Sequence, residues 1–325
     1  MTGAVTLDLA SHDSFAERDG AKLGVVTHID QSPMHSISLR HGAPARISVC
    51  ITHYNRPHLL GSTLESLARQ TQIPDEVFLW DDASPQDPSE VVRAFEGRFP
   101  RFVYRRNERN LGMPGNLNAV IAQATGDYVV NLHDADVYHP TLLQRWTEAL
   151  DAFPSAGFVF CRVAGRNESQ DRRLRGCLPL TPGQRFNQRY FLNAWRGSSP
   201  VWGTVMARRS IYRDALPFAE EYGCVADVDM WMRLSWVADV AFVDEALITA
   251  HPSSHFVSGV NWSLVHALRR IHRQNVQRWI EERRLPSWHL LGSHGLNFFA
   301  LYCVCIASLL RHGRFSSLRG LWRCR

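Results

Sequence analysis

Lysine is almost absent: Lys22 is the only one among 325 residues, so the formal net charge of +5 rests on arginine. No RNP-like, zinc-finger or helix-turn-helix pattern accompanies that excess, and no nucleic-acid partner is expected. No C-x-x-C occurs, and the seven cysteines, at 50, 161, 177, 224, 303, 305 and 324, are scattered and odd in number. That argues against a zinc ribbon and a disulfide framework, and leaves reduced thiols in a cytoplasmic protein as the expectation. A basic n-region followed by an apolar h-region is missing from the first residues, so secretion is not expected. Glycine loops that cradle phosphate are missing too. Gly112-Met113-Pro114-Gly115 lacks the G-x-G-x-x-G spacing, and no G-x-x-x-x-G-K-[ST] occurs.

What is present is a globular composition, 45% hydrophobic and 21% charged, long enough for one large domain or two modest ones. Residues 1–45 mix Ser, His, Asp and Gly without periodicity and read as a loosely ordered arm. Then Ile47-Ser48-Val49-Cys50-Ile51-Thr52 reads as a buried strand, and Pro57 opens a helix with Leu59, Leu60, Leu64 and Leu67 on one stripe. Glu76-Val77-Phe78-Leu79-Trp80 and Arg101-Phe102-Val103-Tyr104-Arg105 are further strands separated by a helix over 88–95. Asn110-Leu111-Gly112 turns into a helix that leads to a fourth strand. Strands alternating with helices predict a parallel sheet with right-handed crossovers. Beyond residue 151 we expect short strands near 157–161, 203–207 and 240–243, helices over 208–216 and 227–234, and an irregular, arginine-rich insertion over 162–196 placed to cover a site.

The chemistry concentrates after that fourth strand. Tyr128-Val129-Val130-Asn131-Leu132-His133-Asp134-Ala135-Asp136 runs from apolar residues into two carboxylates one residue apart, and Pro140 opens the next helix. Ligands of open α/β sheets bind at the carboxyl ends of strands. One or two carboxylates completed by phosphate oxygens is the usual way to hold magnesium or a similar hard cation. With no glycine loop to neutralise a diphosphate, Asp134 and Asp136 are the candidate metal ligands, with His133 beside them.

Taken in register, these segments resemble family 2 glycosyltransferases of the GT-A fold. The residues that carry the resemblance are Val49 to Arg56, Leu64-Glu65-Ser66-Leu67-Ala68-Arg69-Gln70-Thr71, Trp80-Asp81-Asp82-Ala83-Ser84, Asn110-Leu111-Gly112 with Asn118, Gly126-Asp127-Tyr128, Leu132 to Asp136, and Asp227-Val228-Asp229-Met230-Trp231-Met232-Arg233-Leu234. The match covers roughly residues 46–255. The resemblance implies a mixed, mainly parallel sheet flanked by helices, a nucleotide-binding half over 46–140, an acceptor half over 141–258 and a helical extension over 259–325. It implies an inverting transfer of a hexosyl or deoxyhexosyl group from a nucleoside-diphosphate donor, a UDP- or dTDP-sugar, to a glycan or lipid-linked acceptor.

Residue by residue, the resemblance places Thr52, Tyr54, Asn55, Arg56, Asp82 and Asn118 at the nucleotide, with Asp82 accepting from a pyrimidine N3–H, as an acceptor-only group should. Asp136 touches a divalent metal, Mn or Mg; Asp134 faces ribose or sugar and joins the metal; His251 completes the metal or diphosphate site, with His255 as its competitor. Ala135 stands where relatives often carry a third acid. Asp227 is the catalytic base that takes the acceptor's proton, although Ala226 replaces the usual preceding Glu, and a helix N-cap is its bland alternative. Asp229, four before Arg233, and Trp231 support it structurally, and Gly203 belongs to a loop that admits the donor sugar. A nucleotidyltransferase of related fold and a non-catalytic nucleotide-sugar binder are the competing functions.

The run 295–310 is apolar and is followed by Arg311, Arg314, Arg319, Arg323 and Arg325. Shorter than the ~20 residues that span a bilayer, it reads first as a buried helix. The sharper reading is an interfacial helix with an arginine skirt, giving peripheral membrane association through 295–325 at the inner face of the cell membrane.

Overall fold

The structure, a computed structural model, describes residues 44–164, 174–192, 199–251, 261–282, 284–290, 292–311 and 315. The expected arm over 1–45 lies outside the described residues except for its last two, as does His255.

The strands expected from apolar runs form: β1 (Ile47–His53), β2 (Glu76–Asp81), β3 (Phe102–Arg106) and β4 (Tyr128–His133). They pair in parallel in the order β3-β2-β1-β4. Helices α1 (Pro57–Ala68), α2 (Ser89–Arg93) and α3 (Gly112–Ile121) make the crossovers. Register puts His53 opposite Asp81 and Thr52 opposite His133, so the polar residues that end β1, β2 and β4 share one edge. β1 is buried on both faces: Val49 and Ile51 join one core cluster and Cys50 the other. That explains its unbroken apolar run.

The second half departs from simple repetition. β5 (Val137–Tyr138), β6 (Ala156–Ala164), β7 (Leu180–Thr181), β8 (Val205–Arg208) and β9 (Asp239–Thr249) complete a sheet of order β3-β2-β1-β4-β8-β6-β9-β5, with β7 beside β9. β8 runs antiparallel to both β4 and β6, while β6 and β9 are parallel. Pro140 stands just before α4 rather than in its first turn: the helix spans Leu142–Ala152 with Thr141 as its N-cap.

The segment expected to be an irregular cover is built into the core where it is described. α5 (Gly183–Phe186) continues into a wide helical turn, Asn187–Leu192, with Phe186, Phe191 and Asn187 fully buried. Asn187 Nδ2 donates to Met232 O and Ser235 Oγ, and its Oδ1 accepts from Asn275 Nδ2 and Trp279 Nε1. It therefore ties α7 (Ala226–Val237) to α8 (Trp262–Glu281). α6 (Arg209–Ala215) and a 3₁₀ turn, Glu220–Val225, lead into α7, and α9 (Ser293–Arg311) follows α8.

Candidate active site

Asp134, first residue of the loop after β4, is fully buried. Its Oδ2 lies 2.7 Å from His53 Nδ1 and accepts from the Tyr54 amide at 3.2 Å; its Oδ1 pairs with Arg56 Nη2 at 2.6 Å. A carboxylate wrapped by an imidazole, an amide and a guanidinium anchors the loop after β1. A permanent positive charge, the Arg56 guanidinium, already neutralises Asp134, which weighs against the metal role expected of it.

Asp136, also fully buried, faces the other way. Its Oδ2 accepts from Trp202 Nε1 at 3.1 Å and lies 3.1 Å from His133 Nδ1, and its Oδ1 accepts from the His251 amide at 3.1 Å. Thr63 Oγ1 donates to its main-chain oxygen. Local folding explains this arrangement. Tyr138 Oη bonds both main-chain groups of His133, closing the loop from 133 to 138. β5 then pairs Val137 with Thr249, which carries His251 alongside.

Asp227 lies in the first turn of α7, inside the helix rather than at its N-cap, which is Val225. Its Oδ1 accepts from the Val228 amide at 2.8 Å. Gly203 is pressed against it: a Cβ there would lie 2.6 Å from His133 Nε2 and 3.3 Å from Asp227 Oδ2. Only glycine admits that approach. Burial pushes the Asp227 carboxyl up to about 6, against the lowering influence of the Val228 amide and the His133 charge. Burial would lower His133, but its hydrogen bond to Asp136 and the charges of Asp136, Asp227 and Asp134 outweigh that and raise it. The imidazole thus lies between two carboxylates that favour its protonated form.

At the ends of β1 and β2 a second group forms. Asp82 is buried; its amide donates to His53 O, and its Oδ1 accepts from the Leu111 amide at 2.7 Å and Asn107 Nδ2 at 3.0 Å. Asn55 and Ala83 hold φ of 53° and 58°, left-handed conformations that cost an alanine ~1 kcal/mol. The Asn55 amide donates to Ser84 Oγ, which in turn bonds Asp81. Tyr54 is 45% exposed at the lip of β1, with half-buried Thr52 preceding it.

Asn118 is not part of this group. Its Nδ2 donates to Phe218 O and its Oδ1 accepts from the Phe218 amide. Both amide atoms are spent clamping α3 to the segment before α7, which corrects the nucleotide assignment. Asp229 pairs with Arg233 at 2.8 Å, and Trp231 stacks on Phe158 inside the core. His53 and Trp202 were not singled out from the sequence: each acts on a residue far along the chain, and nothing in their own neighbourhoods signals it.

For a metal, the donor set fits one carboxylate. Among the described residues no group of three or more His, Cys, Asp or Glu forms a cage. Asp136, oriented by His133 and Trp202, suits a hard cation whose remaining ligands are phosphate oxygens and water.

The arrangement has counterparts among known proteins. A family model described as glycosyl transferase family 2 matches residues 48–216. The chain belongs to that family. This family 2 glycosyltransferase has a GT-A-like fold, a mixed sheet flanked by helices. It is 28% identical over 253 residues to MT1568 of Mycobacterium tuberculosis, covering 72% of this chain and 75% of that one. It is 25% identical over 191 residues to the putative glycosyltransferase EpsE of Bacillus subtilis, covering 58% and 66%. Among solved structures, S. aureus TarS 1-349 superposes with a TM-score of 0.57 at 20% identity over 71% of this chain and 65% of TarS 1-349. TarS 1-349 has also been solved with UDP-GlcNAc. At that identity the likeness bears on the fold, and the matched part spans just under two thirds of TarS 1-349.

Proposed function

We propose that this glycosyltransferase moves a hexosyl or deoxyhexosyl group from a UDP- or dTDP-sugar to a hydroxyl of a glycan or lipid-linked saccharide, with inversion, and that Asp227 is the base. One observation carries the reading: a carboxyl poised at about 6 sits beside glycine-walled space and an imidazole-bound acid at the carboxyl edge of the sheet. A base is most effective when its pKa lies near the working pH. A binding protein has no use for one.

In this reading the Tyr54 ring and Thr52 flank the base. Asp82, its Oδ1 fixed by the Leu111 and Asn107 donors, presents a carboxylate to an imide N–H. Asn55 and Arg56 line the same loop, and Arg56, a third exposed while paired to Asp134, faces the donor's negative end. Asp136, with His251 beside it, would hold the Mn or Mg ion. That ion supplies charge neutralisation of the departing diphosphate. His133 stands next to Asp227 over Gly203, and the neighbouring carboxylates favour its protonated form. Asp227 takes the acceptor's proton as its oxygen attacks the anomeric carbon. A nucleotidyltransferase would need a glycine-rich loop after β1, and residues 52–56 contain no glycine.

Thermal-shift titration with UDP- and dTDP-sugars, with manganese and with chelator, tests donor and metal together, because a ligand that binds the folded state raises its stability. UDP-GlcNAc is the first donor to try. Stabilisation by a donor that chelator reduces is expected; no shift with any nucleotide-sugar would overturn the proposal.

A further inference from the structure

α9 is apolar on two faces. Phe298, Cys305 and Leu309 are buried against α8 and its surroundings, while Leu296 (65% exposed), Phe299 (69%), Val304 and Leu310 stand in solvent. The expectation of a buried helix is thus corrected: the apolar stretch His294–Arg311 has a mean hydropathy of 1.4 and is only 18% buried. At its amino end, between α8 and α9, lies a cavity of about 850 Å³ bordered by Arg269, Arg273, Trp288, His294, Phe299 and Tyr302. Trp288 is 65% exposed at its mouth.

The two guanidiniums are what distinguish this cavity. Among the described residues neither Arg269 nor Arg273 pairs with a carboxylate, whereas their neighbour Arg270 faces Glu221. Arg269 lies instead over the Tyr302 ring, 5.8 Å from its centre. His294 registers both charges: burial and then the two arginines bring it down to about 4. Two unpaired cations walled by aromatic rings, continuous with an exposed apolar helix face, match an anion joined to a hydrocarbon. In sequence, residues 283–325 contain seven arginines and no Asp or Glu, so this stretch carries charge of the same sign.

We propose that the α8–α9 groove docks on an anionic phospholipid leaflet, Arg269 and Arg273 taking a headgroup phosphate while Leu296, Phe299 and Trp288 enter the acyl boundary. An amphipathic helix gains from both contributions, apolar burial and lipid charge. The cytoplasmic leaflet is the anionic one. Docking also has a consequence for catalysis. α8 is tied to the helix that carries Asp227 through Trp236 to Asn275, and to the 3₁₀ turn before that helix through Tyr222 to Gln274, so a protein held at the leaflet by α8 holds its base at a fixed orientation to acceptors there. The docking itself does not depend on the transfer reaction.

The test is co-sedimentation of the full chain with vesicles of phosphatidylcholine alone and of phosphatidylcholine mixed with phosphatidylglycerol. Wild type is expected to pellet with the mixed vesicles, less so at high salt, and to stay in solution with neutral ones. Arg269→Ala with Arg273→Ala should weaken binding to the mixed vesicles roughly thirty-fold, two basic groups being removed from the surface. Phe299→Glu with Leu296→Glu should abolish it, and since both side chains are exposed, circular dichroism should be unchanged. Equal pelleting with neutral vesicles, or retention by the double arginine variant, would overturn the proposal. So would a dimer in gel filtration that Phe299→Glu dissociates while wild type ignores both vesicles; a second copy would then be the occupant.

Discussion

Asp227 Oδ2 and His133 Nε2 converge on one point above Gly203, the place a β-carbon would occupy. Gly203→Ala is therefore expected to push the imidazole or the carboxylate aside. The overpacking should cost about 1–3 kcal/mol of stability, and transfer should fall by at least roughly ten-fold, since an ångström of misplacement is felt strongly in the rate. Donor binding, measured by thermal shift, should change little. If Gly203→Ala keeps full transfer rates, the convergence has no catalytic meaning.

The elevated Asp227 carboxyl gives a pH profile with a definite sign. The base works only when ionised, so kcat should climb with pH through about 6 and level above it. Asp227→Asn should abolish transfer. Stability should move oppositely: the folded state holds this proton more tightly than the unfolded chain, so the group's contribution is full below about 3.8 and is lost as pH rises through about 6. At pH 7.5 the Asn variant should thus be more stable, by on the order of 1–3 kcal/mol. An active Asn variant, or one less stable than wild type at that pH, refutes the assignment.

Asp134 and Asp136 should separate when each is changed to Asn. Asp136→Asn should erase the manganese-dependent part of donor stabilisation while the fold persists. Asp134→Asn leaves the Arg56 charge and the His53 imidazole without their partner and should lower stability by about 3 kcal/mol, with the metal effect on any residual donor binding retained. Identical behaviour of the two variants would show that the division of labour is mistaken.

Tyr54 offers a cleaner probe because little else depends on its ring. Tyr54→Ala should leave stability within about 0.5 kcal/mol and weaken donor binding by on the order of 1–2 kcal/mol, the worth of stacking a base on an aromatic face. Calorimetric titration with UDP decides it: an unchanged Kd removes Tyr54 from the nucleotide site.

The parallel half of the sheet was legible because β1, β2 and β4 are buried on both faces and read as unbroken apolar runs, with helical stripes such as Leu60, Leu64 and Leu67 between them. The acids at their ends were legible for the same reason, since the run stops where they begin. The direction of β8 was not, because four residues of buried strand carry the same pattern whichever way they run. Two-residue β5 is defined only by its pairing with β9. Asn118 misled because an amide in a family motif and an amide clamping a distant peptide look alike until Phe218 is in place. Residues 295–310 misled differently: apolarity marks a helix as wanting cover without saying whether protein or lipid provides it.

Asn187 tests whether the central insertion is core or cover. Its side chain is fully buried and makes four hydrogen bonds, to Met232, Ser235, Asn275 and Trp279. Replacing it with Ala strands the Asn275 and Trp279 donors, costly to leave unpaired in a low-dielectric interior, while Met232 O keeps its bond from Ser235 Oγ. The expected loss is about 3–4 kcal/mol in urea unfolding, seen as a lower midpoint at unchanged slope. Because α8 hangs on the same network, protection of its amides from hydrogen exchange should drop before that of β1 and β4. A loss below about 1 kcal/mol, with α8 as protected as before, would mean that the segment lies over the protein without holding it together.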